Sequence, residues 1–92
     1  MIAVAAEQVP RPTRAAAWKD VAGEMVVVDV QGGMVRGLNP AGGQVWSLLD
    51  GQRTAAQIAN RVAELFHQPE SQVLPDVLKF LTRLHELGMI EV

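Results

Sequence analysis

The chain has 92 residues, 49% of them hydrophobic and 20% charged, with a net charge of −2 and no cysteine. That length holds one core and no second domain, and the composition favours a packed globule over disorder. Disulfides, thiolate metal sites and cysteine nucleophiles are excluded, and eight Lys and Arg spread along the chain offer nucleic acid no basic cluster.

Residues 1–13, with Pro10 and Pro12, read as a flexible N-terminal tail with proline-restricted backbone. They have no basic start and no long apolar run, so neither a signal peptide nor a membrane span is expected and the chain reads as cytoplasmic. The folded domain is expected over residues 14–92. Arg14 to Val21 is a strand candidate weakened by three consecutive alanines. Glu24 to Val30 is rich in β-branched residues and stops at Gln31–Gly32–Gly33, after which Met34 to Leu38 forms a second short run. Two such runs about a glycine-containing turn predict a hairpin. Gly37 weakens the second strand and points to a bulge or a close backbone approach.

The periodicity then becomes helical. Asn39 suits an N-cap and Pro40 the first helical position, where no N–H is needed; Val45, Trp46, Leu48 and Leu49 are the apolar contacts, and Gly51 the expected end. Thr54 with Gln57 is a capping box, followed by Ile58, Val62 and Leu65 at helical spacing up to about Phe66. The third helix starts near Pro75 or, the favoured reading, near Glu70 with a bend at Pro75, and runs to a stop at Gly88, with Met89 placed for the hydrophobic contact beyond a glycine cap. The sum is an α+β domain: a small antiparallel sheet of two to three strands packed on a three-helix winged helix-turn-helix unit.

The third helix carries more apolar surface than a fold of this size requires. Val73, Val77, Phe80, Leu84 and Leu87 fall within an arc of roughly 80°, an ordinary core stripe. Leu74, Leu78 and Leu81 lie beside it and widen the arc to roughly 180°, against the ~100° of a core-facing helix. That second stripe packs beneath the sheet, seals a homodimer or receives another partner.

Catalytic chemistry has little to stand on. His67 and His85 lack a carboxylate or second histidine at ligand spacing, which leaves no metal site, and the aspartates are scattered rather than paired for acid–base work. Ala41–Gly42–Gly43 lacks the Lys and Ser/Thr of a phosphate loop. Trp46 is in register with Leu49 and reads as core, and Asp76 as a dipole-complementing or ion-paired residue near a helix start. No enzyme activity and no cofactor are expected.

Two blocks of residues resemble a known family. The first runs Leu38–Asn39–Pro40, then Val45 to Gly51, Thr54 and Ile58; the second is Asp76 to Leu81, Leu84 and Leu87 to Ile90. In that order and spacing they resemble the PqqD-like proteins, recognition elements for the precursors of ribosomally made, post-translationally modified peptides (RiPPs). The Asn39–Pro40 start followed by Gly42, with Val26, Asp29 and Gly33 of the hairpin, is also similar to the stand-alone leader-binding proteins of lasso-peptide pathways. The resemblance implies a non-catalytic domain that adds a precursor's leader segment as a strand and presents it to a modifying enzyme. That enzyme is a leader peptidase acting with a lasso cyclase, the slightly preferred reading, or a radical SAM enzyme as in pyrroloquinoline quinone (PQQ) biosynthesis. It implies a peptide-binding set of Met34, Val35, Arg36 and Gly37 on the strand with Leu74, Val77, Leu78, Lys79, Leu81 and His85 on the third helix. Arg36 and Lys79 would favour acidic leader residues. No nucleic acid and no membrane partner is implied, and the state is a monomer or a swapped dimer. The alternative is a winged-helix transcriptional regulator, for which Lys79 and Arg83 are the only cations between Val73 and Leu84.

Overall fold

The computed structural model describes residues 3–14, 16–22, 24–29 and 34–92, with the backbone alone at residues 29 and 34–36. Two short ladders and three helices make up the fold. Strands β1 (Arg11–Pro12), β2 (Ala16–Val21), β3 (Glu24–Asp29) and β4 (Met34–Gly37) precede helices α1 (Pro40–Ser47), α2 (Ala55–Leu65) and α3 (Glu70–Glu86), and β5 (Ile90–Glu91) ends the chain.

β2, β3 and β4 form an antiparallel sheet in that order, so β4 is an edge. The β-branched run of β3 sits in the middle, where both sides of its backbone are paired and Val27 is fully buried. The β3–β4 pairing runs from Asp29↔Met34 to Val26↔Gly37 without a change of register, and a Cβ on Gly37 would meet nothing within 4 Å. The glycine is thus an ordinary ladder residue, with neither the bulge nor the close backbone approach named as alternatives from the sequence. Val30 and the turn expected at Gln31–Gly32–Gly33 lie outside the described residues.

The helix ends follow local hydrogen-bond chemistry. The Asn39 side chain accepts from the Gly42 N–H at 2.7 Å, and Pro40 follows in the first turn. α1 stops at Ser47, short of the expected Gly51, which sits at φ +74° in the turn that leads to α2. Asp50 organises that turn by accepting from the Gln52 and Arg53 N–H groups at 2.9 and 3.0 Å and pairing with the Arg53 guanidinium at 2.7 Å. Those two backbone N–H groups, aided by the cation, hold its carboxyl below the usual carboxylate range. Thr54 and Gln57 complete the capping box of α2. α3 is helical through Pro75, whose ring leaves the Ser71 carbonyl without its helical donor. Beyond α3, Gly88 at φ +75° donates to the His85 carbonyl and Met89 to the Leu84 carbonyl, each at 3.0 Å; this is a Schellman closure, with Met89 buried.

Residues 3–13 do not form the loose tail expected over residues 1–13. Val4 and Pro10 are buried, and the Val4 N–H donates to the Thr82 hydroxyl of α3 at 2.9 Å. The carbonyls of Gln8 and Ala6 accept from the Ala55 and Ala56 N–H groups at 2.8 and 2.9 Å, donors that the first turn of a helix otherwise leaves unpaired. β1 then pairs with β5, braced by Arg11 on Glu91 at 2.7 Å. The strap is held because it satisfies groups that the helices expose.

The core lies between β3 and the three helices, with Trp46, Ile58, Leu81, Met89 and Ile90 among its largest members. Trp46 is core, as its register predicted, and takes an edge-on contact from half-exposed Trp18 at 5.5 Å between centroids and 68° between planes.

Candidate functional site

The open edge of β4 and the cleft beside it are the molecule's most distinctive surface. The Leu38 N–H donates to the Met25 carbonyl at 2.8 Å, which fixes the phase of the β3–β4 ladder. Main-chain groups alternate sides along a strand, so residues 34, 36 and 38 face β3, while Val35 and Gly37 turn their N–H and C=O groups outward. β4 has β3 as its neighbour and no other strand among the described residues. An edge of this kind is a template for an added strand.

A cleft of about 740 Å³ opens beside the end of β4. Gly37 and Leu38 form its sheet side, Ala41, Gly42 and Val45 the α1 side, Val62 and Phe66 the α2 end, and Val73, Asp76, Val77 and Phe80 the α3 wall. The first turn of α1 is close-packed here: a Cβ placed on Gly42 would lie 3.5 Å from both the Phe80 ring and Leu38 Cβ. Those are ordinary contact distances; the tighter neighbour is the Asn39 side-chain oxygen, 3.1 Å from that Cβ, which accepts from the Gly42 N–H.

The structure brings together only part of the set expected from the sequence. The backbones of Met34, Val35, Arg36 and Gly37 form the open edge, and the side chains of Met34, Val35 and Arg36 lie outside what is described. Val77 floors the cleft at 4% exposure. Leu81 is 0% exposed, a core residue with no surface to offer a partner. Leu74 and Leu78 are half-buried against the core cluster that includes Val4, on the flank where Thr82 receives the strap and donates to the Leu78 carbonyl at 2.7 Å. His85 is half-buried and lies on that flank roughly 80° of helix rotation from Val77. Lys79 is exposed and is not part of the cleft wall.

The stripe read as core is buried at Val77 and Leu84, and half-buried Val73 and Phe80 bring its edge onto the cleft; of the second stripe Leu81 is buried, while Leu74 and Leu78 are half-buried. Val73, Val77 and Phe80 carry the α3 wall, while Leu74 and Leu78 pack against the core outside the cleft. The missed residues are Val73, Phe80, Leu38, Val45, Val62, Phe66 and Asp76. The apolar arc of α3 signalled that one flank was spare, but not which flank. Asp76 does not sit at a helix start and makes no ion pair among the described residues; it stands in the second turn of α3 on the cleft wall.

The site has few groups that could transform a substrate. Among the described residues no three His, Asp or Glu side chains could hold a metal ion, and no helix is long and apolar enough to cross a membrane. The exposed cations of α3 lie between acids, with Arg83 3.7 Å from Glu86, a poor surface for phosphates. An apolar slot beside unpaired main-chain groups can hold an extended peptide, the backbone on the edge and alternate side chains in the slot.

Comparisons with known proteins point the same way. Residues 24–90 match the family model described as coenzyme PQQ synthesis protein D (PqqD). No curated protein matches the chain. Among solved structures, TbiB1 in complex with the TbiA(beta) leader peptide has 23% identity and a TM-score of 0.79, covering 88% of this chain and 94% of that one. A lasso peptide synthetase B1 complexed with the leader peptide has 22% identity and a TM-score of 0.78, over 92% and 100% of the two chains. The PqqD truncation of Methylobacterium extorquens PqqCD, described as a functional, stand-alone RiPP recognition element, has 22% identity and a TM-score of 0.81, over 98% and 96%. At these identities the likeness is one of fold: three helices with a small antiparallel sheet.

Proposed function

We propose that this chain, which belongs to the PqqD family, is a non-catalytic recognition element that binds the leader segment of a ribosomally made precursor and presents it to a modifying enzyme. The observation that carries the reading is the juxtaposition of the outward N–H and C=O groups of Val35 and Gly37 with the apolar cleft on α3. That two proteins of the same fold are complexed with leader peptides supports it further.

Binding would divide into two parts. The leader pairs with β4 through main-chain groups, which gives affinity with little dependence on sequence, since every residue but proline carries the same N–H and C=O. Its alternate side chains enter the slot walled by Val73, Val77 and Phe80, which supplies selection. Each well-buried anchor contributes ~1.5–3 kcal/mol before ordering costs. Two or three anchors with the ladder reach affinities of about micromolar to nanomolar. A leader held here raises the local concentration of the attached core peptide at a docked enzyme. That enzyme is a leader peptidase working with a lasso cyclase or a radical SAM enzyme. The Asn39–Pro40 start followed by Gly42, similar to that of stand-alone leader-binding proteins of lasso-peptide pathways, slightly favours the lasso type.

The test is calorimetric titration of the chain with the N-terminal halves of short precursor-like peptides encoded beside its gene, using the C-terminal halves as controls. Saturable binding of one N-terminal half at one per chain, abolished or sharply weakened by Val35→Pro, is the expected result. Failure of every N-terminal half to bind would refute leader recognition.

A further inference from the structure

Asp76 is the one ionisable side chain among the described residues that wall the cleft. It accepts no hydrogen bond and makes no ion pair; Lys79, one turn along, is not within salt-bridge distance, and Arg83 is engaged by Glu86. Its neighbours on the wall are Val73, Val77 and Phe80, with Phe66 across the α2 end. A carboxylate is thus set into an apolar wall without a counter-charge from the described residues.

We propose that Asp76 makes the cleft select peptides that carry a Lys or Arg beside their apolar anchors, a reading that rests on peptide binding at this cleft. The methylene stem of such a side chain lies along Val73 and Val77 while its cationic head reaches the carboxylate. An Arg gains a second contribution from the face of Phe80 or Phe66. An acidic side chain at the same position meets a like charge. The preference is opposite to the one that Arg36 and Lys79 implied from the sequence, because Lys79 stands outside the cleft wall. Asp76 is itself exposed, so the effect is moderate and dependent on salt.

The probe is a display library of random twelve-residue peptides, selected in parallel on the full chain, on Asp76→Asn and on Asp76→Lys, and read by sequencing. Circular dichroism melts confirm that both variants fold. Peptides selected on the unaltered protein are expected to share apolar residues at alternate positions with Lys or Arg at one fixed spacing from them. That basic position should vanish on Asp76→Asn and become Asp or Glu on Asp76→Lys. Selected peptides, synthesised and measured by fluorescence anisotropy, should bind Asp76→Asn about fivefold more weakly in low salt. The difference should close at high salt. Apolar peptides without a basic position, or the same basic position on Asp76→Asn, would overturn the role of Asp76 and leave peptide binding intact. No enrichment on any of the three proteins would overturn both.

Discussion

Replacing Val35 by proline tests the open edge directly. The ladder phase turns the Val35 N–H away from β3, so proline there removes a donor that the fold does not use. The residue before it, Met34, is already extended, the conformation that a following proline favours. Folding stability should therefore match that of Val35→Ala, which makes the same side-chain truncation but keeps the donor, to within about 1 kcal/mol. Peptide binding should not match. The lost hydrogen bond is worth about 0.5–1.5 kcal/mol, and the leader carbonyl left unpaired beside an apolar cleft costs about 1–3 kcal/mol instead. Val35→Pro should thus bind a cognate leader about 5- to 150-fold more weakly than Val35→Ala. Arg36→Pro is the counter-case: its N–H faces β3, so it should lose stability through the ladder. Anisotropy titrations and urea melts of the three variants give every quantity needed. Equal leader affinity in Val35→Pro and Val35→Ala would show that β4 does not receive the peptide.

The two flanks of α3 should separate by mutation. Phe80→Ala, on the cleft wall, should weaken leader binding about tenfold or more with a stability loss of ~2 kcal/mol, below that of a fully buried Phe because Phe80 is half-exposed. Leu78→Ala should lose stability by a similar amount and leave the affinity of the folded protein unchanged, as paired melts and titrations would reveal. Thr82→Val removes the hydroxyl that receives the Val4 N–H and should cost ~1–2 kcal/mol in urea denaturation with binding unaltered, since the strap lies on the other flank. Asp50 has a folded pKa depressed below its unfolded value, so its stabilising effect is present above the unfolded pKa and lost as pH falls through the folded one. Asp50→Asn should accordingly lower stability at neutral pH and flatten its further loss on acidification below the usual carboxylate range, with the pH slope on the neutral-to-basic side unchanged, as urea midpoints across pH would show.

The local devices were legible because their chemistry is local. Asn39 before Pro40, Thr54 with Gln57, and Gly88 before Met89 each satisfy main-chain groups within a few residues, and each cap forms where its residues stand. The β-branched run of β3 likewise announced a strand; that it is paired on both sides was decided by the fold. Gly51 misled because a left-handed residue after an apolar run reads as a helix end, whereas here Leu48 already closes α1 and the glycine serves the next turn. The Arg11–Glu91 pairing could not be anticipated: two-residue strands at opposite ends of the chain have too little pattern to advertise themselves.

Amino-acid order by itself determined the elements, their caps and the fact that α3 has apolar surface to spare, since helical periodicity and end-capping depend on neighbours in sequence. Only the tertiary structure decided which flank of α3 stays open. Leu74 and Leu78 are no less apolar than Val73 and Phe80, and all four are half-buried; what distinguishes Val73 and Phe80 is that α1, the end of α2 and the end of β4 share a cleft with them. The end of β4 at Gly37 and the wall of Val73, Val77 and Phe80 line one cleft, so the slot lies where helix and sheet edge meet.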